Sequence, residues 1–371
     1  MKKILCFILA ILMLGGVLVS CDTGSEPEET TAADTTAEDT TTSVDTTTSA
    51  DTTTSTTTTG QVEGDLPSGE PANIKVMSFN LQADYKTESR ISNALTIINE
   101  YPCDVYCFQE ANTWGDDIGT LGQLTLVKKS RVASSDVHIY YNKETLKLLD
   151  GGVNQLTYRG EVFNGVAAKH TTYFSYAVFE HIETQKQFLV INIHLDYDDT
   201  SSVVRRASVN AIFDKMDTDL AKYKNLPMIL VGDTNSDYQT GKKGNGGYQH
   251  NTDPTFTYLN TKVGLKWAYQ MDGVEFITEN VPNFHWYSGE PYTLINNAFR
   301  MEFPNDGTAE DLAEQNGWGM DKRILDFIFV SNNGAITPKT YEVIYRNFAT
   351  KEGYWKYASD HMPITCEMTI N

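Results

Sequence analysis

Residues 227–236 read PMILVGDTNS. A proline opens the stretch, four apolar residues follow it, and Gly232 and Asp233 close the apolar run. A short apolar run with turn-forming residues at its ends predicts a buried β-strand. Asp233 lies at the end of this predicted strand, and Asn235 lies two residues beyond it. The stretch therefore joins a core strand to polar side chains that can bind a metal ion or move a proton.

Five further stretches share this design. They are short, rich in β-branched or aromatic residues and bounded by turn formers: IKVMSFN (74–80), DVYCFQE (104–110), KQFLVINIH (186–194), RILDFIFVS (323–331) and PITCEMTI (363–370). Helical periodicity lies between some of them, at 89–101, where Ser89 occupies a capping position, and at 203–223. Strands with helices between them predict a layered α/β domain whose helices cover the sheets.

Polar residues that can serve in catalysis stand at the ends of these predicted strands. Where an apolar core stops, a rigid sheet can hold polar groups in a fixed arrangement. We therefore expect these side chains to converge on one site: Asn80, Glu110, His194, Asp233 with Asn235, Asp326, and the pair Asp360–His361.

The motifs SFNLQ, CFQEA, NIHLD, VGDTNS, LDFIFVS and SDHMPI, in that order, resemble the motif series of the endonuclease/exonuclease/phosphatase superfamily. The resemblance covers residues 73–370. It implies the DNase-I-like fold, an α/β four-layer sandwich of two packed β-sheets flanked by helices. It also implies a divalent cation, usually Mg²⁺ with Mn²⁺ or Ca²⁺ as alternatives, and hydrolysis of a phosphoester.

The resemblance implies a metal site of oxygen ligands. Glu110 matches the glutamate of the QE motif and is the first expected ligand. Asn80 and Asp360 are expected to complete or support the site. Carboxylate and carbonyl oxygens are the ligands that Mg²⁺ prefers.

The resemblance also implies how a water molecule is activated. His361 is the expected general base, and Asp326 orients it. An imidazole with a pKa near 6.5 can accept a proton, and a carboxylate fixes its tautomer. If Asp233 and Asn235 are locally extended, their side chains project to one side, where one can orient the water and the other can donate to a phosphoryl oxygen. His194 is expected to bind the phosphate or to assist the leaving group.

Two features of this chain differ from the usual pattern of the superfamily that it resembles or stand out beside it. Many members carry an arginine shortly before the strand that reads SYAVFE here, whereas this chain has HTTYF there and only Lys169 nearby. The segment 241–321 is long between two motifs and rich in glycine and aromatic residues. We expect that segment to set substrate choice, either by stacking on bases or sugars or by contacting lipid headgroups, with plain core and loop packing as the alternative.

Charge and cysteine content limit the function. Residues 71–371 contain 27 basic and 37 acidic residues, a net charge near −10. A protein that grips polyanions through counterion release needs a basic face, which would have to be local in this chain. Cys103, Cys107 and Cys366 are an odd set and are predicted to be small buried residues rather than a disulfide framework.

The N-terminal 70 residues differ from the rest of the chain. Residues 1–21 begin with two lysines, continue with an apolar stretch and end in LVSC, which resembles a lipobox with Cys21 as the lipidated residue. The alternative is an uncleaved membrane helix, which needs about 20 apolar residues. Residues 22–70 are rich in Thr and Asp and predict a disordered tether. The catalytic domain is therefore assigned to 71–371.

These features predict a metal-dependent phosphoester hydrolase. The expected substrate is a nucleic acid or nucleotide, which makes the protein a phosphodiesterase or nuclease. A phospholipid headgroup, cleaved as by a sphingomyelinase, is the next alternative, and a non-catalytic binding lipoprotein on the same fold is the third. We expect a monomer that is secreted across the cytoplasmic membrane and lipid-anchored at the cell surface or in the periplasm.

Replacement of Cys21 tests the anchor. If Cys21 carries the lipid, Cys21→Ser should move the protein from the detergent phase to the aqueous phase in detergent partitioning, because a covalent acyl chain supplies the membrane affinity. Cys103→Ser, which leaves the N-terminus intact, is the matched control. Continued partitioning of Cys21→Ser with the detergent would assign the anchor to the apolar stretch itself.

Overall fold

The computed structural model places the strand and helix predictions in three dimensions. All of the predicted strands and helices lie within one compact unit, Gln61–Asn371. The signal peptide, Cys21 and the Thr-rich segment lie outside the described residues. The structure describes residues 69–83, 86–130, 135–197, 202–236, 238, 254–261, 263–278, 291–295, 303–304, 322–349 and 354–371.

A seven-stranded sheet, counted over the described residues, contains both the first and the last strand of the chain. In spatial order its strands are β12 (Glu275–Thr278), β17 (Ile336–Val343), β20 (Ile364–Ile370), β1 (Ala72–Asn80), β2 (Val105–Gln109), β4 (His138–Asn142) and β3 (Leu124–Leu126). β1 pairs with β2 in parallel and with β20 antiparallel. The two ends of the domain therefore meet at its centre.

A second sheet of six strands, within the same described ranges, packs against the first. Its order is β11 (Leu265–Trp267), β16 (Asp326–Ser331), β10 (Met228–Asp233), β9 (Gln187–His194), β8 (Thr172–His181) and β5 (Leu146–Thr157). β10 lies parallel to β9 and antiparallel to β16. The strand predicted from PMILVGD is thus a buried central strand.

Short elements complete the described fold. The helices are α1 (Glu88–Glu100), α2 (Gly115–Gly119), α3 (Val203–Asp217) and α4 (Pro254–Thr261). The short strands form the hairpin β6 (Val162–Phe163) with β7 (Val166–Ala167), the pair β13 (Leu294–Ile295) with β15 (Lys322–Arg323), and the group β14 (Phe303–Pro304), β19 (Tyr354–Tyr357) and β18 (Asn347–Ala349). No helix in the described ranges is long and apolar enough to cross a membrane.

Alternation along β1 shows how the layers form. Val76 packs into the core between the sheets, whereas its neighbour Met77 packs into a second core that Ala94 and Ile97 of α1 complete. Successive side chains on a strand point to opposite faces, so one strand serves two cores. α3 packs against the second sheet, because its Val209 and Ile212 are buried in the same cluster as the strands of that sheet. The predicted four-layer α/β sandwich is confirmed.

Two details differ from the sequence prediction. α1 is capped by Thr87, whose Oγ1 accepts the backbone N–H of Arg90, so Ser89 lies inside the first turn rather than at the cap. The described parts of 241–321 contribute α4 and the edge strands β11 and β12 of the two large sheets. The Gly-rich stretch 241–253 and the aromatic stretch 283–290 lie outside the described residues.

Buried amides link the two sheets. Gln109 of β2 donates from Nε2 to Asn192 Oδ1 of β9 at 2.8 Å, and both side chains are buried. Asn192 Nδ2 donates to the backbone oxygens of Phe108 and His138 at 2.9 and 3.0 Å. Buried polar groups are costly unless they are hydrogen-bonded, so this link favours one alignment of the sheets.

Candidate active site

Strand register brings the predicted polar residues to one edge of the sandwich. In the second sheet, Asp233 at the end of β10 lies opposite His194 at the end of β9 and opposite Asp326 at the start of β16. In the first sheet, Asn80 ends β1, and Glu110 directly follows its parallel neighbour β2. The convergence predicted from strand ends is present in the structure.

A buried carboxylate orients His361. Its Nδ1 lies 2.8 Å from Asp326 Oδ2, and both residues are buried. An ionised carboxylate only accepts hydrogen bonds, so Nδ1 donates its hydrogen to Asp326. Nε2 lies 3.7 Å from Asp233 Oδ2. The pair has the geometry of an oriented acid or base.

A second aspartate orients His194 in the same way. His194 Nδ1 donates to Asp136 Oδ2 at 2.6 Å, and its Nε2 lies 3.7 Å from the same oxygen of Asp233 that faces His361. Asp136 was missed in the sequence analysis, because the strand that follows it, β4, was not among those predicted. The run DVHIYYN at 136–142 carries the signal, because Asp136 lies two residues before β4 much as Asp360 and His361 lie shortly before β20.

Burial and the charges of neighbouring groups both shift the pKa values of His194, His361 and Asp233. Burial lowers the pKa of His194, but attraction to Asp136 and Asp233 outweighs it and raises that pKa to about 10. Burial likewise lowers the pKa of His361, and attraction to Asp326 and Asp233 raises it well above 6.5. Burial raises the pKa of Asp233 to about 6 despite the two histidines. The sequence predicts a pKa of about 6.5 for His361. The surrounding carboxylates instead raise the pKa of His361 well above that value.

Asn80 joins two of the carboxylates. Its Nδ2 donates to Glu110 Oε1 at 3.2 Å and to Asp233 Oδ2 at 3.1 Å. Its Oδ1 accepts the backbone N–H of Gln82 at 3.0 Å. Asn80 therefore meets the carboxylates through its amide nitrogen and positions them. Its role as a metal ligand through oxygen stays a prediction.

Glu110 and Asp360 have the donor chemistry of a divalent-cation site. Glu110 Oε2 accepts the backbone N–H of Ala83 at 3.0 Å, and Asp360 Oδ2 accepts Gln82 Nε2 at 2.7 Å. Burial raises the pKa of Asp360, and repulsion from Glu110 adds to the rise against attraction to His361. Two mutually repelling carboxylates that offer only oxygen fit a hard cation such as Mg²⁺.

A second cluster could be taken for a metal centre. Asp233, Asp326 and His361 each offer an atom, and these atoms lie within 4.8 Å of one another. However, the hydrogen bond between His361 Nδ1 and Asp326 already occupies two of the three members. The His361–Asp326 hydrogen bond has the geometry of an oriented proton carrier, whereas the Glu110–Asp360 pair offers only oxygen ligands.

Unusual backbone angles mark the site. Gln82, Glu110 and Asn235 have φ values of 51°, 53° and 47°, in the left-handed region that costs a non-glycine residue roughly 1–2 kcal/mol. Such strain clusters at functional sites. Asn235 is therefore not extended relative to Asp233; its backbone N–H donates to Asp233 Oδ1 at 2.8 Å, and its Nδ2 donates to the backbone oxygen of Leu195 at 2.9 Å.

These groups surround an open cleft of about 560 Å³. Asn80 and Asp326 contact the lining residues without lining the cleft themselves. Among the described residues that line it, Arg323 is the single lysine or arginine. The lining comprises Gln82, Glu110, Asp136, His170, Thr171, Thr172, His194, Leu195, Tyr197, Asp233, Asn235, Arg323, Leu325, Asp360 and His361.

Comparison with known families agrees with the fold. The model of the Endonuclease/Exonuclease/phosphatase family matches residues 77–361. The chain belongs to this family. Members of the endonuclease/exonuclease/phosphatase family are hydrolases that act on phosphoesters. No curated protein matches the chain in sequence.

Solved structures share the fold at low sequence identity. An endonuclease/exonuclease/phosphatase family protein from Bacteroides thetaiotaomicron is 20% identical with a TM-score of 0.58, and the match covers 81% of this chain and 99% of that one. A mannosyl-6-phosphatase from the same species is 21% identical with a TM-score of 0.56, covering 80% and 99%. TDP2 of D. rerio, solved with a single-strand DNA product, is 14% identical with a TM-score of 0.53, covering 80% and 99%.

Removal of the Asp136 charge tests the second histidine pair. Asp136→Asn should lower the pKa of His194 from about 10, because the imidazolium loses its charged partner. A raised histidine pKa stabilises the folded protein fully below about pH 6.5, and this stabilisation is lost as pH rises through the folded value. The difference in unfolding free energy between wild type and Asp136→Asn should therefore be larger at pH 6 than at pH 10.

The measurements are an NMR titration of the His194 ring protons in EDTA-treated protein and urea unfolding at both pH values. Asp150→Asn is the matched control, because Asp150 contacts Tyr223 and Lys222 and does not line the cleft. An unchanged His194 titration in Asp136→Asn would contradict the pairing.

Proposed function

We propose that this family member is a metal-dependent phosphoester hydrolase in which a histidine activates the attacking water. The observation that carries the proposal is the paired arrangement of the histidines. His361 and His194 are each oriented by an aspartate, and both direct Nε2 toward the carboxylate of Asp233. A binding protein has no need of two oriented proton carriers beside an oxygen-donor pair.

The two histidines take different roles in this proposal. His361 accepts the proton of the attacking water at Nε2, while Asp326 keeps Nδ1 hydrogen-bonded. His194, held by Asp136, donates a proton to the leaving oxygen or hydrogen-bonds the phosphate. Asp233 faces both rings and neutralises the positive charge that moves between them.

Glu110 and Asp360 hold the divalent cation in this proposal, with Asn80 as their support. A cation bound there supplies positive charge that polarises a phosphoryl oxygen and opposes the carboxylates that raise the histidine pKa values. Mg²⁺ is the proposed ion, with Mn²⁺ and Ca²⁺ as alternatives. Gln82 holds Asp360 in place, and the backbone N–H of Ala83 holds Glu110.

Arg323 supplies a phosphate contact that the sequence comparison left open. The arginine expected before SYAVFE is absent, and Lys169 does not line the cleft. Arg323 reaches the cleft from the strand β15, which lies three residues before Asp326. A guanidinium can bind phosphate through two parallel hydrogen bonds, which an ammonium cannot. We therefore assign the phosphate-binding cation to Arg323.

The proposed substrate is a phosphodiester of a nucleic acid or nucleotide. One structural neighbour is named a mannosyl-6-phosphatase, and another, TDP2, was solved with a single-strand DNA product. The fold therefore occurs both in a protein named for a sugar phosphate and in one that binds a DNA product. Phospholipid headgroup cleavage is the alternative substrate class. We further propose that the protein acts outside the cytoplasm as a monomer, secreted and lipid-anchored through Cys21 at the cell surface or in the periplasm.

Metal removal tests the proposal directly. Hydrolysis of bis-p-nitrophenyl phosphate, p-nitrophenyl phosphate, DNA, RNA and sphingomyelin should be measured with Mg²⁺ and with EDTA. We expect turnover of the diesters with Mg²⁺ and its loss in EDTA. Glu110→Gln should lose activity and need more Mg²⁺, because one ligand charge is gone, whereas the exposed control Glu144→Gln should match wild type. Full activity in EDTA would refute the mechanism.

Mutation of the base and its orienting aspartate tests whether they act together. His361→Ala should lower kcat/KM by roughly 10²–10⁴-fold, the usual contribution of a positioned acid or base. Asp326→Asn should also be severe, and the double variant should be little worse than His361→Ala, because groups that act as a unit are not additive. His181→Ala, which does not line the cleft, is the control. Strictly additive losses would mean that the two residues act separately.

A further inference from the structure

Two aromatic rings form a stacked pair on the wall of the cleft. The rings of His170 and Tyr197 have centroids 4.1 Å apart and an interplanar angle of 28°. Both residues line the same cleft as His194 and His361. Tyr197 keeps 60% of its surface exposed. A flat aromatic surface is therefore open to solvent beside the proposed reacting groups.

The pair is held from behind by a buried carboxylate. Asp196 is 1% exposed, and its Oδ2 accepts the backbone N–H groups of Lys169 and His170 at 2.8 and 3.1 Å. Arg205, also buried, donates from Nη1 to the backbone oxygen of Asp196 at 3.0 Å. Asp196 directly precedes Tyr197 in the chain. One residue thus ties together the two segments that carry the rings.

This support distinguishes the pair from an ordinary exposed tyrosine. Single exposed aromatic residues are normal on protein surfaces. Tyr158 is an example, because it is 65% exposed and does not line the cleft. In contrast, the His170–Tyr197 rings are already stacked and Asp196 ties their two segments together, so ligand binding needs to order few side chains. A preorganised flat surface favours a ligand that is itself flat.

The remaining lining narrows the chemistry of that ligand. Leu195 and Leu325 are the only aliphatic residues among the described lining residues, so the cleft offers little surface to an acyl chain. Four carboxylates and one arginine also line the cleft, so its charges attract a polyanion only weakly. Stacking needs no net charge and tolerates any base, because every base has a π-face.

We propose that the His170–Tyr197 pair is a nucleobase-stacking subsite that binds the base adjacent to the scissile phosphate. The proposal rests on the proposed phosphoesterase function and specifies its substrate class as a nucleotide unit. Tyr197 supplies the outer, exposed ring, and His170 supports it from the other face. The pair determines specificity and does not take part in bond cleavage.

Equilibrium binding tests the subsite without relying on turnover. Adenosine 5′-monophosphate and ribose 5-phosphate should be titrated calorimetrically, with Mg²⁺, into the full chain carrying His361→Ala. We expect the nucleotide to bind about 5–150-fold more tightly, which is the range that one stacked base gives. Adding Tyr197→Ala should remove this difference. Tyr197→Phe, which keeps the ring, and Tyr158→Ala, which lies off the cleft, should preserve it.

Kinetics on the otherwise wild-type chain give a second measurement. A single-strand oligonucleotide and an oligonucleotide of the same length with abasic residues should be compared as substrates. Tyr197→Ala should raise KM for the base-bearing strand by about 5–150-fold, leave kcat nearly unchanged and leave the abasic strand unaffected. His170→Ala should cause a smaller loss of the same kind.

The outcomes separate the subsite from the proposed function. Equal binding of the nucleotide and ribose 5-phosphate to the Tyr197-containing protein would overturn the subsite, as would an equal loss on both strands in Tyr197→Ala. Glucose 6-phosphate should be titrated in the same way. If it bound more tightly than the nucleotide, the nucleobase subsite would be overturned in favour of a sugar-binding subsite. Base-dependent binding in a wild-type protein that cleaves no phosphoester would refute the hydrolase while leaving the subsite intact.

Discussion

The buried carboxylate of Asp233 is the constraint on which this site depends. Its Oδ2 lies 3.7 Å from Nε2 of both His194 and His361, and it accepts a hydrogen bond from Asn80 at 3.1 Å. An unpaired buried carboxylate costs on the order of several kcal/mol. His194 shares the sheet of Asp233, whereas Asn80 ends β1 of the other sheet and His361 lies in the segment before β20. The partners of the Asp233 carboxylate therefore come from both sheets, which must meet at the same edge of the sandwich.

The core beneath the site enforces that closure. The Gln109–Asn192 hydrogen bond joins the sheets, and Asn192 also anchors to two backbone oxygens of the first sheet. Gly232 adds a local constraint, because its φ is 137° and a Cβ there would lie 2.1 Å from the backbone oxygen of Ile193. Only glycine fits so close to β9. The motif GD thus has a steric reason for its first residue and an electrostatic reason for its second.

The fold and most of the site follow from sequence because they depend on strands. Apolar runs bounded by turn formers predicted β1, β2, β9, β10, β16 and β20 but not β4, and the register of the second sheet then placed His194, Asp233 and Asp326 together. Asp136 and Arg323 were not predicted, because each acts from a short segment whose position depends on the path of the chain. The same limit explains the helix start, since Thr87 and Ser89 are both suitable caps and only packing selects between them.

Electrostatics link the remaining features of the cleft. Four carboxylates face one arginine in the described lining, so the lining as a whole repels a phosphate, and a cation held by Glu110 and Asp360 would reduce that repulsion. A cation held there would also oppose the attraction to Asp326 and Asp233 that raises the pKa of His361, and so would favour the neutral imidazole that can accept a proton. For the proposed nucleotide substrate, contacts that carry no charge would therefore add to the affinity that Arg323 and a bound cation supply. The flat surface of Tyr197, stacked on His170 and next to Asp196, is one part of the described cleft that can supply such contacts.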